Sequence, residues 1–341
     1  MDSSIVLILL QDGIVNGAIY ALLALSLVLV FVVTRVIFIP QGEIVAYGAL
    51  TYAALDAGVV PGSVWLLCGL GGAAAAAELW RGRGRRAGAV LLRCLVLPTV
   101  VAGLALWLGP RKPGVLVEAV LTLAIVTPMA PYLYSVAFAP IASASVLVLL
   151  IASVGVHLAM LGLGLVFFGP EGFRASGFSD AVLSLGDLTV TGQSLWIVGL
   201  TLALMLGLYG LFAFSLFGKA LRATAVNRLG ARLVGIASRR SGSVAFAIAG
   251  GAGALSGVLI APLTTVYYDS GFLIGLKGFT AAIIGGLASY PLAALAAVLV
   301  GIIESFSSFW ASAFKEVIVF TAIIPVLLWR SWRRPVLEDE E

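Results

Sequence analysis

The chain has 341 residues, 61% of them hydrophobic and 11% charged, with a mean hydropathy of +1.14. A soluble domain carries about 25% charged residues to cover its surface, so this composition excludes a water-exposed exterior and points to a membrane. The net charge of +4 would invite a nucleic-acid reading in a soluble protein; here basic loops on one membrane face account for it, and no nucleic-acid partner is expected.

Apolar blocks lie at about 5–33, 44–56, 59–79, 88–109, 115–139, 143–168, 194–217, 243–268, 278–290, 292–311 and 315–330. A crossing takes roughly 20 residues. The pattern predicts an all-α, polytopic membrane protein with about eight to eleven transmembrane or re-entrant helices. The first block is far longer than a signal-peptide core and reads as a retained helix. The blocks at 44–56 and 278–290 are short and read as broken or re-entrant.

Basic residues gather in four places: Arg35; Arg81, Arg83, Arg85, Arg86 and Arg93; Lys219, Arg222, Arg228, Arg232, Arg239 and Arg240; and Arg330, Arg333 and Arg334. If all eleven blocks cross, these places share one side, expected to be the cytoplasm, with the C-terminus there too. Arg111 and Lys112 then fall outside. The stretch 169–193, with Glu171, Arg174, Asp180 and Asp187, reads as the longest external loop. Residues 336–341 read as a short acidic tail.

Two interrupted segments stand out. In Ile37-Phe38-Ile39-Pro40-Gln41-Gly42-Glu43, proline removes a backbone donor and glycine loosens the chain. Unpaired backbone in lipid costs several kcal/mol, so such a break is buried in protein or lines a wet cavity. That makes Gln41, Gly42 and Glu43 candidates for a translocation pathway; the competing reading of Glu43 is an acidic residue favoured at a helix N-terminus. In Gly275 to Ser289, the residues Lys277, Gly278, Thr280, Gly285 and Gly286 interrupt a second apolar helix. One interrupted segment per half is the pattern of a pathway at a repeat interface, and close helix packing through the glycines is the bland equivalent. Lys277 and Glu304 are further charges near apolar helices, and a pairing between them is not assigned by sequence. Cys68, Cys94 and His157 sit in or beside apolar runs and read as structural; one histidine and two cysteines build no metal cluster.

The segment 218–241 is basic and too interrupted to cross. Leu221, Val226, Leu229, Leu233 and Val234 recur at near-helical spacing, which predicts a short amphipathic helix lying on anionic lipid or filling a partner's groove. The chain has no G-x-x-x-x-G-K-[ST] match, so it does not cradle ATP phosphates itself. Energy comes from a separate subunit or from an ion gradient acting on Glu43, Glu304 or Lys277. An intramembrane enzyme lacks a paired acid–base motif beside a nucleophile.

Taken together, Asn16 to Leu25, Ile37 to Glu43, Tyr47-Gly48-Ala49, the loop from Leu221 to Ile236, Phe246, Gly250, Leu255-Ser256-Gly257, Gly278 to Ser289, Gly301, Glu304 and Lys315-Glu316 resemble the permeases of the branched-chain amino acid ABC importer family, the LivH type. Family members commonly read Asn-Phe-Ala-His-Gly-Glu at the first break. Here the six places are Phe38, Ile39, Pro40, Gln41, Gly42 and Glu43, and Gln41 stands where the histidine would. The resemblance implies one permease domain over 1–335 that moves a small polar solute by alternating access: an amino acid, amide, urea or aromatic acid. It implies a bacterial plasma-membrane location, a second permease subunit (heterodimer or homodimer), two ATPase subunits carrying ATP and Mg2+, and an extracytoplasmic solute-binding protein. No cofactor is expected in this chain. The coupling loop on the ATPase would use Arg222, Ala225, Asn227, Ala231, Gly235 and Ile236.

Overall fold

The computed structural model describes residues 3–82, 87–179, 181–185 and 188–333. Arg83, Arg85, Arg86, Asp180, Asp187, Arg334 and the acidic tail 336–341 lie outside the described residues. In chain order the elements are α1 (Ser3–Thr34), α2 (Gln41–Asp56), α3 (Ser63–Gly82), α4 (Ala87–Arg111), α5 (Val115–Ile141), α6 (Val146–Phe168), the hairpin β1 (Val182–Leu185) and β2 (Leu188–Thr191), α7 (Gly192–Phe214), α8 (Leu216–Val226), α9 (Arg228–Leu233), α10 (Ser238–Ile260), α11 (Ser270–Ile284), α12 (Tyr290–Trp310) and α13 (Ser312–Trp329), whose helical turns run on to Arg333.

Among the described residues nine helices are long and apolar enough to cross a membrane. The shorter α2 (Gln41–Asp56) and α11 (Ser270–Ile284) pack among them, within the range of eight to eleven transmembrane or re-entrant helices expected from the sequence. Their outward faces carry Leu92, Val100, Leu147, Ile151, Leu206, Leu295 and Leu328, all exposed, as helices bathed in hydrocarbon require.

α1 is the hub. It is buried from Ala18 to Val30 apart from no more than grazing exposure, and it packs on α7, α10, α11 and α12. Its contact with α12 is backbone on backbone. A Cβ at Gly301 would overlap the Gly13 carbonyl and the Gly17 amide, and one at Gly17 would sit 2.6 Å from the Val298 Cα. Small residues allow that approach, and close van der Waals packing is the main cohesive force left inside lipid.

After α1 the chain does not turn back as a helix. Arg35 takes a left-handed φ of 60°, residues 35–38 carry no regular structure, and Phe38 enters an aromatic cluster with Phe138 and Phe246. α2 then starts at Gln41 in the interior and runs on to Asp56, which holds the Ser176 amide and hydroxyl at 2.8 and 2.6 Å. The chain between α1 and the end of α2 is therefore unwound over 35–40 and helical over 41–56.

The second interrupted segment differs from its sequence reading. The helix covers Ser270–Ile284, eight residues earlier than expected, and the break falls at 285–289, where Gly286 and Leu287 take positive φ and the chain turns into α12. Gly285 abuts Ala293, the first turn of that next helix. The long external stretch is also more ordered than a loop: it holds the β1–β2 hairpin, and Phe173 pairs with Val266 in an antiparallel bridge.

Arg81, Arg228 and Arg239, from two of the basic clusters, come together on one face. Arg228 reaches the Val33 carbonyl at the end of α1, Arg81 reaches the Ser135 carbonyl, and Arg239 lies 3.9 Å from Glu78 at the end of α3. Lys112 lies against Gly58 on the opposite, hairpin face. A Gly301→Val substitution is expected to lower stability by more than ~3 kcal/mol, beyond ordinary overpacking because backbone must move, whereas Gly72→Ala, with open space around it, should be neutral; thermal unfolding in detergent measures both.

Candidate functional site

The site is built where α2 begins. Residues Gln41 and Glu43 are fully buried, at 1% and 0% exposure. A buried α2 N-terminus needs neighbours that come very close, and the glycines provide them: Gly42 lies on the backbone of Gly271, with Gly275 beside it. The loose backbone ahead of the helix is satisfied by protein, with the Ile39 amide donating to Ser153 Oγ at 2.9 Å.

Gln41 donates from Nε2 to the Ala249 carbonyl on α10 at 2.9 Å; its Oε1 is buried and has no hydrogen-bond partner. Glu43 sits in the first turn of α2, where the helix N-terminus favours a carboxylate, and His157 on α6 comes to it, with Nδ1 3.0 Å from Oε1. His157 and the residue's own amide are the groups that approach the Glu43 carboxylate, neither of them in strict hydrogen-bond alignment. Each buried acceptor left without a donor costs about 1–3 kcal/mol.

Beside these groups lies a cavity of about 500 Å3, lined by Gln41, His157, Phe38, Phe272, Phe279 and Leu158 among others. The volume is within the range of small-molecule sites, about 300–1,000 Å3, and so is the recipe of an apolar wall with few polar groups. The His157 ring lies 5.0 Å from that of Phe272. Among the described residues no group of three His, Cys, Asp or Glu side chains is placed to hold a metal.

The other candidates separate from this cavity. Gly278 lies against Leu23 and Thr280 bonds back to the Leu276 carbonyl at 2.8 Å, both inside α11; Gly285 and Gly286 stand at its far end. Lys277 meets Glu304 Oε1 at 2.5 Å and Glu316 Oε1 at 3.1 Å, and Tyr20 donates to Glu304 Oε2 at 2.5 Å. This network ties α1, α11, α12 and α13. Glu316 and Tyr20 were not among the sequence candidates, and nothing local marks them. His157 was read as filler; the signal that could have found it is the buried series Leu149, Ser153, His157, Met160 and Gly164, a helical face with polar groups four residues apart.

On the basic face, α8 and α9 form a helical hairpin bent at Asn227, in place of one amphipathic helix. Ser215 and Asn227 cap the two helices through Gly218 N and Gly230 N at 2.8 and 2.9 Å. α9 ends in a Schellman-type turn, with Gly235 at φ 86° and the Ile236 amide on the Ala231 carbonyl at 2.9 Å. Leu221, Thr224 and Ala231 face the protein, Ala225 is half-buried, and Arg222 reaches the Phe212 carbonyl. Burial pulls the Arg228 guanidinium below its ordinary pKa, with the neighbouring Tyr134 acting against it. Val226, Leu229, Leu233 and Val234 are 87%, 69%, 81% and 76% exposed.

A multi-pass helical bundle with a break at depth, unsatisfied polar groups beside an internal cavity and an exposed hairpin on a basic face has the make-up of a membrane transport protein. The chain belongs to the family described as branched-chain amino acid transport system / permease component, whose model matches residues 9–327. It is 30% identical over 202 residues to the high-affinity branched-chain amino acid transport system permease protein LivH of Escherichia coli (strain K12), covering 57% of this chain and 65% of that protein. It is 33% identical over 149 residues to the permease protein BraD of Pseudomonas aeruginosa, covering 43% of this chain and 48% of that one. The chain thus spans just under two thirds of the length of the LivH relative. No solved structure matches it.

Lys277→Met would leave Glu304 buried without its cation and is expected to cost ~3–5 kcal/mol. The triple variant Lys277→Met, Glu304→Gln, Glu316→Gln should regain most of that loss. Thermal unfolding of the three proteins (unaltered, single and triple variant) checks it; equal destabilisation in single and triple variants would show that packing, not charge, holds this corner.

Proposed function

We propose that this chain is the permease subunit of an ATP-binding-cassette importer that passes a small polar solute through the membrane by alternating access. The observation that carries the reading is the family match over residues 9–327; the relatives' names supply branched-chain amino acids as the first solute class to test. Other amino acids, amides or urea, and aromatic acids are the wider candidates.

The solute path runs past Gln41, Gly42 and Glu43, with α11 as its opposite wall. Leu158 and Phe272, both lining the cavity, are 58% and 41% exposed, and a second permease subunit, of this or a related chain, covers that side. The hairpin α8–α9 seats on one of two cytosolic ATPase subunits, which carry ATP and Mg2+, and its row of exposed leucines and valines fills their groove. A solute-binding protein delivers from the opposite face, that of the β1–β2 hairpin. By the distribution of Lys and Arg, the basic face and the C-terminus lie in the cytoplasm of a bacterial cell. The ion-coupled alternative is weakened because Lys277 and Glu304, two of its three candidate groups, are already bound to each other.

The test is the hairpin surface. Leu229→Glu with Leu233→Glu should insert normally but lose the co-purifying ATPase, together with at least a tenfold loss of ATP-dependent L-leucine uptake in proteoliposomes, since charge in an apolar anchor pocket costs more than ~2 kcal/mol. An ATPase that still co-purifies in full would remove the coupling role. Uptake that survives ATPase inactivation but stops when the proton or sodium gradient collapses would replace this reading with the ion-coupled one.

A further inference from the structure

We infer that a small basic pocket beneath the α8–α9 hairpin binds a phosphate group, carried by an anionic lipid headgroup or present as free phosphate. The pocket is separate from the cavity at the α2 break and from the solute path. It measures about 120 Å3 and is lined by Thr34, Tyr134, Arg228, Arg232, Ser238 and Arg239 among others. Small-molecule sites run to about 300–1,000 Å3. This one has room for about four waters at ~30 Å3 each, the scale of one phosphate group.

Charge and donors both point to an anion. Three guanidinium groups line the pocket, and no carboxylate does. Among the described residues the one acid within ionic distance of any of the three is Glu78, 3.9 Å from Arg239, and its Oε1 already accepts from Ser135 Oγ at 2.6 Å. Each arginine brings five N–H donors. Arg228 gives one to the Val33 carbonyl at 2.8 Å, and Arg232 gives its Nε–H to Ser238 Oγ at 3.1 Å; the others face the pocket uncommitted. Tyr134 is 4% exposed and lines the pocket, and its hydroxyl makes no hydrogen bond among the described residues. Arg228, Arg239 and Arg232 all act on that hydroxyl electrostatically. The Thr34 hydroxyl is already committed, donating to the Val30 carbonyl and accepting the Val36 amide.

The protein therefore offers donors and positive charge here and keeps back acceptors. Burial holds Arg228 below its ordinary pKa; Tyr134 acts against that, and the like charges of Arg35 and Arg232 add to it. A phosphate relieves the repulsion, and its oxygens match the guanidinium fork two at a time. The position fits a headgroup. The apolar spans of α1 and α5 end at Thr34 and Ile141, and that of α10 begins at Ser238, so the pocket lies where three helices leave the hydrocarbon. Basic pockets between such helix ends take anionic lipid headgroups. Arg228 and Arg232 belong to α9, Tyr134 to α5 and Arg239 to α10, so an anion bound there fastens the α8–α9 hairpin to the bundle.

The test is amide hydrogen exchange of residues 218–241 in the full, delipidated chain in detergent. The chain is titrated with phosphatidylglycerol, with phosphatidylcholine, with inorganic phosphate, and with sodium chloride at matched ionic strength. Phosphatidylglycerol or inorganic phosphate is expected to slow exchange in the hairpin, and phosphatidylcholine and chloride are not. Protection by phosphatidylglycerol alone assigns a lipid headgroup; protection by inorganic phosphate assigns a site open to the soluble ion. Arg232→Gln with Arg239→Gln should raise the half-effect concentration at least tenfold through the lost charge-assisted hydrogen bonds. Lys219→Gln with Arg240→Gln removes the same charge from exposed positions of the same segment outside the pocket and should change it less than twofold. Equal weakening in the two double variants shows diffuse attraction and overturns the inference. So does protection by neither phosphate source, or equal protection by phosphatidylcholine, and these comparisons use the unaltered chain, so they decide even where a variant folds poorly.

Discussion

Hydrocarbon offers no hydrogen bonds, and the rest of the structure follows from what that demands of one short stretch. Residues 35–40 leave the helix at the exposed Arg35 and run unwound to the buried start of α2 at Gln41, so the backbone groups on that inward path need protein partners. The chain finds them nearby and across: the Arg35 amide on Phe31 O, the Val36 amide on Thr34 Oγ1, the Ile39 amide on Ser153 Oγ, the Gln41 amide on Phe38 O. To bring α6 close enough to serve Ile39, the aromatic residues Phe38, Phe138 and Phe246 pack edge to face beneath it. The depth of Gln41 and Glu43, and the approach of His157, come from that same packing.

Two buried carboxylates show what different surroundings do to similar chemistry. Glu304 has a lysine on one oxygen and a tyrosine hydroxyl on the other. It is charge-balanced and fully bonded, and it fastens four helices. Glu43 has only a loosely aligned imidazole and its own amide. The first arrangement gains from staying as it is; the second gains whenever a donor arrives. α11 belongs to both, with Gly271, Phe272 and Gly275 toward α2 and Lys277 toward α12 and α13. A wall of the cavity is thereby anchored to the bundle by a salt-bridged network.

How legible this was in the sequence depended on range. The apolar helices were readable because apolar length is a local property, and so was the break at Pro40, since proline and glycine act on their own backbone. The second break was displaced because Gly271 and Gly275 pack on Gly42 as part of a continuous helix, so glycine signalled contact there and a turn only at Gly286. His157 was missed because its meaning lies more than a hundred residues away, at Glu43. Tyr20 and Glu316 were missed for the same reason. The hairpin β1–β2 is held by backbone pairing of two four-residue strands, Val182–Leu185 and Leu188–Thr191, too short for apolar periodicity to register. Arg81 was seen as part of a cluster, but its bond to the Ser135 carbonyl depends on the π-turn at Tyr134–Phe138, a local distortion that no pattern of residue types announces.

The remaining question is mechanical: whether a force on the basic face has a rigid route to the cavity. The α8–α9 hairpin is fastened at three points, through Arg228 to Val33 O on α1, through Thr224 to Ser241 on α10, and through Arg222 to Phe212 on α7. α10 is the shortest of these routes. From Ser241 to Ala249 is eight residues of uninterrupted helix, about 12 Å at 1.5 Å per residue. The Ala249 carbonyl is the atom that Gln41 grips, and one turn further on, Gly253 abuts the Gln41 side chain and Ile44. A helix transmits displacement along its axis because its hydrogen bonds run that way, whereas the unwound 35–40 stretch beside it does not. The α8–α9 hairpin and the start of α2 are thus joined through one continuous helix, α10, beside a stretch at 35–40 that has no helical hydrogen bonds to carry a displacement.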